Sequence, residues 1–322
     1  MIQTLAENFY CIKLPLPNTP LKSLNSVIIK GKDRNLIIDT GLNHDDCFNA
    51  MHKAIKALDI DLNRTDFLIT HFHADHFGLL HRLVTASSKL YFNRPESEIL
   101  ESWEGWEPTL LSAKNNGFPE HQLRAALESH PGFKHGSDWT PEIQIMHDND
   151  EITVGDYTLR CITTPGHTVG HICLYEAQHK IFIAGDHILG DITPNIQGWE
   201  NNDVALADYF RSLDKVYPLD VDLVVPGHRS LMRNFKQRIT ELKAHHVERL
   251  EEVLSIISDN NADAYQTASQ MHWDIRAKSW DDFPVAQKWF ATGEALAHLH
   301  FLDQDKKIAR QTVNGIFVYS KI

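Results

Sequence analysis

Several features that define other classes of protein are missing from this sequence of 322 residues. No window approaches 18 consecutive apolar residues, so a transmembrane helix is not expected. Residues 1–7 show no basic segment followed by an apolar one, so a secretory signal peptide is not expected either. The four cysteines are scattered without a Cys-x-x-Cys pair, which points to a reducing compartment. We therefore expect a soluble, cytoplasmic protein.

Positive charge is also scarce. The chain has 31 Lys and Arg against 43 Asp and Glu, a net charge of −12, and such a surface repels nucleic-acid backbones and anionic membranes. Residues 236–322 carry 11 basic and 12 acidic residues, and the helix predicted over 285–302 has a single Lys. The Gly-x-Ser-x-Gly motif of serine hydrolases is absent from the sequence. We therefore expect a small-molecule partner rather than nucleic acid or a membrane.

Histidine, by contrast, is abundant, with 20 residues. The densest group is Thr70-His71-Phe72-His73-Ala74-Asp75-His76, directly after an apolar strand-like run. Where an extended segment ends, alternate residues such as His71 and His73 can point the same way and converge on one ion. Asp75 and His76 follow where the chain turns into a helix, and they can reach a second ion. The motif predicts a metal site; the alternative is a histidine-rich surface turn.

Three further motifs share this context of a strand end followed by a turn that contains glycine. They are Thr164-Pro165-Gly166-His167-Thr168-Val169-Gly170-His171, Gly185-Asp186-His187 and Pro226-Gly227-His228. Glycine beside a ligand lets the backbone approach a crowded metal centre. Each motif alone is a common turn, so the prediction rests on the set of four, each of which ends a strand of an α/β pattern.

These motifs, in this order and approximate spacing over residues 20–232, resemble the metallo-β-lactamase superfamily. The resemblance implies two metal ions that share a carboxylate bridge. The residues it assigns are His71, His73 and His167 for the first ion, Asp75, His76 and His228 for the second, and Asp186 as the bridge.

The resemblance also assigns residues that support the ligands. Asp39, in Ile38-Asp39-Thr40-Gly41, matches the aspartate that holds a ligand histidine from behind. His171 and His187 are not ligand positions in the family pattern. For these two histidines we expect supporting contacts or structural packing.

The ligand chemistry indicates the cofactor. Five histidines and two carboxylates without a thiolate suit Zn²⁺, with Fe or Mn as alternatives. Because the complete second set of ligands is present, we expect two divalent ions, which lower the pKa of a bridging water towards about 7. Asp75 is the candidate catalytic residue that orients this water and accepts its proton. With no cysteine at a ligand position, antibiotic hydrolysis is not the first expectation.

The expected fold is an α/β, four-layer αββα sandwich in which two mixed sheets pack face to face with helices outside. We expect a catalytic domain over residues 1–235 and a second domain over 236–322. Residues 93–150 interrupt the strand pattern and predict a helical lid insert. Its aromatic residues either line an apolar substrate pocket or hold the insert down as a satellite core; they include Trp103, Trp106, Phe118, Phe133 and Trp139.

The tail predicts three helices and then a β-hairpin at Asn314-Gly315, which is the order of a winged-helix-like α+β domain. It resembles a subfamily of β-lactamase-like hydrolases with such tails. For this tail we expect packing or homodimer formation rather than specific DNA binding.

Together these observations predict hydrolysis of a small acyl substrate, namely a thioester, an ester or a lactone. The expected catalyst is a centre of two metal ions, with zinc as the first expectation. The acidic chain and the aromatic insert suit a small, partly apolar ligand. Two alternatives stay open: a phosphodiesterase or endoribonuclease, and a non-enzymatic winged-helix regulator that binds nucleic acid and whose metal site is structural.

Overall fold

The computed structural model describes residues 1–135, 142–199 and 204–322. The chain divides into two compact units, each built from three stretches of sequence. The first unit comprises Met1–Ser102, His135–Pro194 and Lys215–Ile239, and the second comprises Trp103–Lys134, Asn195–Asp214 and Thr240–Ile322. No helix in the described ranges has both the length and the apolar character needed to cross a bilayer.

Two sheets form the centre of the first unit. The strands of the first sheet, in both spatial and chain order, are Ile2–Ala6 (β1), Phe9–Pro15 (β2), Ser23–Ile29 (β3), Asn35–Ile38 (β4), Thr65–Leu68 (β5), Leu90–Asn93 (β6) and Gln144–Met146 (β7). Strands β1 to β4 pair antiparallel, and β4 to β7 pair parallel. Strands β3 and β4 form a hairpin with its connection at residues 30–34.

The second sheet has the order β12-β11-β10-β9-β8. Its strands are Glu151–Val154 (β8), Tyr157–Thr163 (β9), Ile172–Glu176 (β10), Ile181–Gly185 (β11) and Leu223–Pro226 (β12). Only the β11–β12 pair is parallel. Strands β10 and β11 are buried along their whole length.

Alternation along the strands separates two cores. On β3, Val27 and Ile29 join the cluster between the two sheets, whereas Ile28 joins the cluster on the opposite face. The first unit contains the α-helices Asp45–Ala57 (α1), Ala74–Phe77 (α2) and Arg94–Glu101 (α3) and the short 3-10 helices Leu62–Arg64 and Leu80–Arg82. Met51 of α1 packs into the outer cluster, and on the second sheet Phe182 lies 5.2 Å from the ring of Phe235. The predicted αββα sandwich is confirmed.

The remaining elements follow the order predicted for the insert and the tail. They are Glu107–Asn115 (α4), Glu120–Ser129 (α5), Pro131–His135 (α6), Ala205–Val216 (α7), Phe235–Asp259 (α8), Ala264–Gln270 (α9), Val285–Gln304 (α10), Ile308–Val313 (β13) and Ile316–Lys321 (β14). The hairpin turn has φ of 51° at Asn314 and 83° at Gly315, as a two-residue turn of this kind requires. The assignment of this tail as a winged helix stays a prediction.

The insert contributes to the core of the second unit. Phe118, which follows α4, lies 5.4 Å from the rings of both Trp289 and Tyr265. Helices α4 and α5 thus share apolar contacts with α9 and α10, as expected if insert aromatics form a satellite core. The substrate-lid role of the insert stays a prediction, and Trp139 lies outside the described residues.

Candidate metal centre

The predicted ligand motifs all follow the carboxyl ends of strands in the first unit. His71 and His73 follow β5, His167 follows β9, Asp186 follows β11, and His228 follows β12. Since the two sheets pack face to face, these ends meet at one edge of the sandwich. Segments far apart in the sequence are thereby brought to one place.

Three histidines form the first group of candidate ligands. The Nδ1 atom of His73 lies 3.0 Å from Nε2 of His71 and 3.0 Å from Nε2 of His167. The ligand atoms of this three-histidine group lie within 4.8 Å of one another.

Asp75, His76 and His228 form a second group, with ligand atoms within the same distance. Asp75 Oδ2 lies 3.3 Å from His228 Nε2. The Asp186 carboxylate lies between the two groups: Oδ2 is 3.3 Å from His228 Nε2 and 3.7 Å from His167 Nε2, and Oδ1 is 3.5 Å from His76 Nε2. The structure thus brings together all seven residues that the resemblance assigned as ligands.

Asp39 holds the loop that carries the first motif. It adopts φ of 57°, and its Oδ1 accepts a hydrogen bond from the backbone N–H of Thr70 at 2.8 Å. Its Oδ2 accepts from the Thr70 hydroxyl at 2.9 Å and lies 2.7 Å from His76 Nδ1. This contact leaves Nε2 of His76 directed at the candidate site.

His228 is oriented in the same manner. Its Nδ1 lies 2.9 Å from the backbone carbonyl of Ser23, so Nδ1 donates there and Nε2 is the nitrogen directed at the candidate site. Gly227 lets the chain before His228 lie close to Asp186 and His76, because a Cβ at position 227 would lie 2.2 Å from Asp186 Oδ1 and 2.9 Å from His76 Cε1. Any larger residue would displace the carboxylate.

His171 contacts the site but belongs to neither of the two ligand groups, nor to the overlapping group of His71, His76 and Asp186. Its Nε2 accepts a hydrogen bond from the backbone N–H of Asp186 at 3.1 Å, so its Nδ1 carries the proton and donates to the Thr164 hydroxyl at 2.8 Å. His187 is fully buried, with its ring 6.1 Å from that of His171. His171 therefore fixes the backbone that carries Asp186.

The pKa values match the requirements of a cation site. Burial, strengthened by the neighbouring His167, lowers the pKa of His73 to about 3, which keeps its nitrogens free of extra protons. Burial alone would lower the pKa of His228, but the carboxylates of Asp186 and Asp75 outweigh it and raise this pKa to about 10. Burial would likewise raise the pKa of Asp186, yet His228 and His76 hold it well below its usual range. In the metal-free chain His73 is therefore neutral, whereas His228 and His76, whose pKa the carboxylates of Asp39 and Asp186 also raise against burial, lie as cations beside anionic carboxylates; a divalent cation would replace their protons.

The residues fit a divalent metal. His76 Nε2, His228 Nε2 and Asp186 Oδ1 are buried, and none has a hydrogen-bond partner in the described part of the chain. Such an unpaired buried atom costs about 1–3 kcal/mol, so a group that binds their lone pairs is expected here. Imidazole nitrogen and carboxylate oxygen are ligands for zinc, iron or manganese.

One buried carboxylate at this site has no counterpart in the sequence motifs. Glu96, in the first turn of α3, is 1% exposed and accepts hydrogen bonds from the backbone of both loops that carry the three-histidine group. Burial raises its pKa, and the hydrogen bonds from these amides oppose that shift. The only sequence signal, a glutamate after Asn93-Arg94-Pro95, is also typical of an ordinary helix start.

Comparisons with known proteins agree with this geometry. Residues 20–228 match the family model of the metallo-beta-lactamase superfamily, and residues 250–322 match that of a metallo-beta-lactamase-like C-terminal domain. The first match alone spans more than half of the chain. The chain therefore belongs to the metallo-β-lactamase superfamily, and it is a hydrolase of that fold.

Individual relatives are distant but similar over most of the chain. The probable metallo-hydrolase YqjP of Bacillus subtilis is 24% identical over 318 residues, which cover 94% of each protein. An atrochrysone carboxyl ACP thioesterase of Aspergillus fumigatus is 24% identical over 221 residues, covering 69% of this chain and 55% of that one. The crystal structure of a metallo-beta-lactamase family protein from Thermus thermophilus superimposes with a TM-score of 0.84 at 24% identity, covering 99% of this chain and 100% of the other.

Proposed function

We propose that this protein hydrolyses small acyl substrates, in particular thioesters, with a dinuclear zinc centre. The observation that carries the proposal is the pair of ligand groups, one of three histidines and one of Asp75, His76 and His228, with Asp186 between them. A structural zinc site is closed by four protein ligands, whereas three ligands on each side leave room for water and substrate.

Zinc is favoured by the chemistry of the ligands. All are imidazoles or carboxylates, and three buried ligand atoms lack a hydrogen-bond partner among the described residues. When bound, two such ions would lower the pKa of water towards about 7 and polarise the carbonyl of the substrate. The three-histidine group would hold one ion, and the Asp75 group the other.

Asp75 is the proposed catalytic residue. Its side chain is 13% exposed, whereas those of His76 and His228 are fully buried, so it is the member of its group that solvent can reach. In the proposed reaction a carboxylate oxygen of Asp75 accepts a proton from the attacking water as the water oxygen bonds to the carbonyl carbon. The bond from acyl carbon to sulfur or oxygen then breaks, and the leaving group takes up the proton that Asp75 accepted, which leaves a carboxylic acid and a thiol or alcohol.

Two observations support an acyl substrate over a phosphodiester. The net charge of −12 disfavours a polyanionic substrate, and residues 1–235 hold 20 basic against 31 acidic residues. One relative is named as a thioesterase of an acyl carrier protein. The acidic balance of residues 1–235 therefore favours a substrate without several phosphates.

The test combines metal analysis with three substrate classes. Purified protein is stripped with a chelator, reloaded with zinc and assayed with a thioester, a lactone and a bis-phosphodiester. We expect two zinc ions per chain and zinc-dependent turnover of the thioester or lactone. His52→Gln, at an exposed position of α1, is the matched histidine control and should behave as wild type.

Other outcomes decide between the alternatives. Faster cleavage of the phosphodiester, together with RNA binding that weakens with salt, would favour the nuclease function. No turnover of any substrate with two metals bound would contradict the proposal and favour a regulator with a structural metal site.

A further inference from the structure

Glu96 connects two loops that carry candidate metal ligands. Its Oε2 accepts a hydrogen bond from the backbone N–H of Phe72 at 2.9 Å, and its Oε1 accepts one from the backbone N–H of Gly170 at 2.8 Å. Phe72 stands between His71 and His73 in the chain. Gly170 lies three residues after His167, so one carboxylate spans the two loops that supply the three-histidine group.

The contact at Gly170 is too close to permit a side chain. A Cβ on Gly170 would lie 2.7 Å from Glu96 Cγ, 2.9 Å from the backbone nitrogen of Glu96 and 2.9 Å from Asn93 Oδ1. The backbone at Gly170 therefore packs directly on the first turn of α3. Since Glu96 is 1% exposed, water does not compete for its oxygens, and its position is fixed on both sides.

The other ligands are supported by different residues. Asp39 contacts His76, the Ser23 carbonyl accepts from His228, and His171 accepts from the backbone of Asp186. Within the described residues, Glu96 accepts its backbone hydrogen bonds from Phe72 and Gly170 and not from Asp39 or the loop at Gly227-His228. Its support is therefore specific to the loops of His71, His73 and His167.

We propose that Glu96 is a positioning residue that holds these two loops in register and so sets the affinity of the three-histidine group for its metal. This inference rests on the proposed metal-dependent function. Hydrogen-bond partners behind metal ligands commonly change metal affinity by about 10–100-fold when they are replaced.

The informative variant is Glu96→Gln, which keeps the shape of the side chain. A glutamine amide has one oxygen and one NH2 group, so it can accept from only one of the two backbone amides. The other N–H would face a second donor, and that loop would shift. We expect metal affinity at the three-histidine group to fall about 10–100-fold, with little change at the Asp75 group.

Glu176 supplies a matched control within the first unit. It is 3% exposed, ends β10 at the opposite end from the His167 loop, and accepts from the backbone N–H groups of Gln178 at 3.2 Å and His179 at 2.7 Å. Glu176→Gln therefore removes the same type of contact from a buried carboxylate away from the ligands. Its metal affinities should equal those of wild type.

The experiment titrates metal-free wild type, Glu96→Gln and Glu176→Gln with Co²⁺, followed by visible absorption, and with Zn²⁺ in competition with a chelator. In Glu96→Gln we expect one equivalent to bind as in wild type and the other about 10–100-fold more weakly, with an altered Co²⁺ spectrum. Its hydrolytic activity should recover as the zinc concentration is raised, because only occupancy is impaired.

Retention of both affinities and of the Co²⁺ spectrum in Glu96→Gln would overturn the inference, even if the variant unfolded more easily. Should that variant fail to fold, Glu96→Asp keeps the charge but is one methylene too short to reach both amides. The same selective loss is expected for it, and two unchanged affinities would overturn the inference equally.

The outcomes also separate this inference from the proposed function. A selective loss of metal in Glu96→Gln, together with a wild type that hydrolyses none of the test substrates, would support the role of Glu96 and contradict the acyl hydrolase. An active wild type whose Glu96→Gln variant binds both metals normally would support the acyl hydrolase and contradict the role of Glu96.

Discussion

Two sets of closely packed histidines, one in each unit, are built differently. In the first unit, His71, His73 and His167 converge, with ring nitrogens as close as 3.0 Å. In the second unit, His246 and His298 are both fully buried, on α8 and α10. Every candidate group of three metal ligands in the described ranges belongs to the first unit.

Three of the four ring nitrogens of the second set form hydrogen bonds within or between the two helices. His298 Nδ1 donates to the Glu294 carbonyl at 2.7 Å, so its Nε2 can accept from His246 Nδ1 at 3.1 Å. The Glu294 carboxylate is already engaged, with Asn195 Nδ2 at 3.0 Å and Arg249 Nε at 3.7 Å. The histidines of the first unit are ligand candidates because the carboxylates of Asp75 and Asp186 converge on their site, as Asp186 does on His167 and both do on His228.

Metal removal should give the largest difference between the two sets. Chelation should reduce hydrolysis to the uncatalysed rate, because the ions supply the activated water, and two equivalents of Zn²⁺ should restore it. His298→Gln should bind the same two equivalents, as measured by elemental analysis. A lower metal content in His298→Gln would show that the second set also contributes to metal binding.

Asp75→Asn should have the next largest effect. An amide cannot accept the proton of the attacking water, so kcat should fall about 10²–10⁴-fold at saturating zinc. Steady-state kinetics with the thioester measure this change. The exposed Asp220→Asn serves as the carboxylate control, and activity in Asp75→Asn within tenfold of this control would assign the role of base to another group.

Asp39→Asn tests the support behind His76. The amide of asparagine cannot accept both hydrogen bonds from Thr70 and also pair with His76 Nδ1, so zinc affinity at the Asp75 group should fall about 10–100-fold. Chelator competition measures the loss. Asp66→Asn changes a buried carboxylate near the opposite end of β5, where it pairs with Arg34, and should leave zinc affinity unchanged.

These expectations show which parts of the site the sequence could predict. His71, Asp186 and His228 each lie within three residues of the end of a strand, so the α/β pattern already implies that they share one edge of the sandwich. Asp39 follows β4 in the same way. In these cases the local sequence contains both the chemistry and its place in the fold.

Glu96 could not be predicted by such reasoning. Its partners are backbone amides at Phe72 and Gly170, and any residue type offers the same amide, so no side-chain motif marks the contact. The packing of Phe118 on Trp289 escaped prediction for a related reason. Aromatic residues indicate that a segment is buried, but the partner against which they pack is set by the tertiary fold.

The smallest predicted effect concerns pH and belongs to the second set of histidines. Burial, strengthened by the charge of Arg249, lowers the pKa of His298 to about 3, against about 6.5 in an unfolded chain. Between these pH values the unfolded state binds a proton that the folded state excludes, so the free energy of unfolding falls as the pH falls, by up to about 1.4 kcal/mol per pH unit. His298→Gln removes this titration. Denaturant unfolding of the metal-free proteins at pH 6 and pH 5 should therefore show a larger loss of stability in wild type than in the variant, whereas equal losses would mean that His298 is protonated without unfolding.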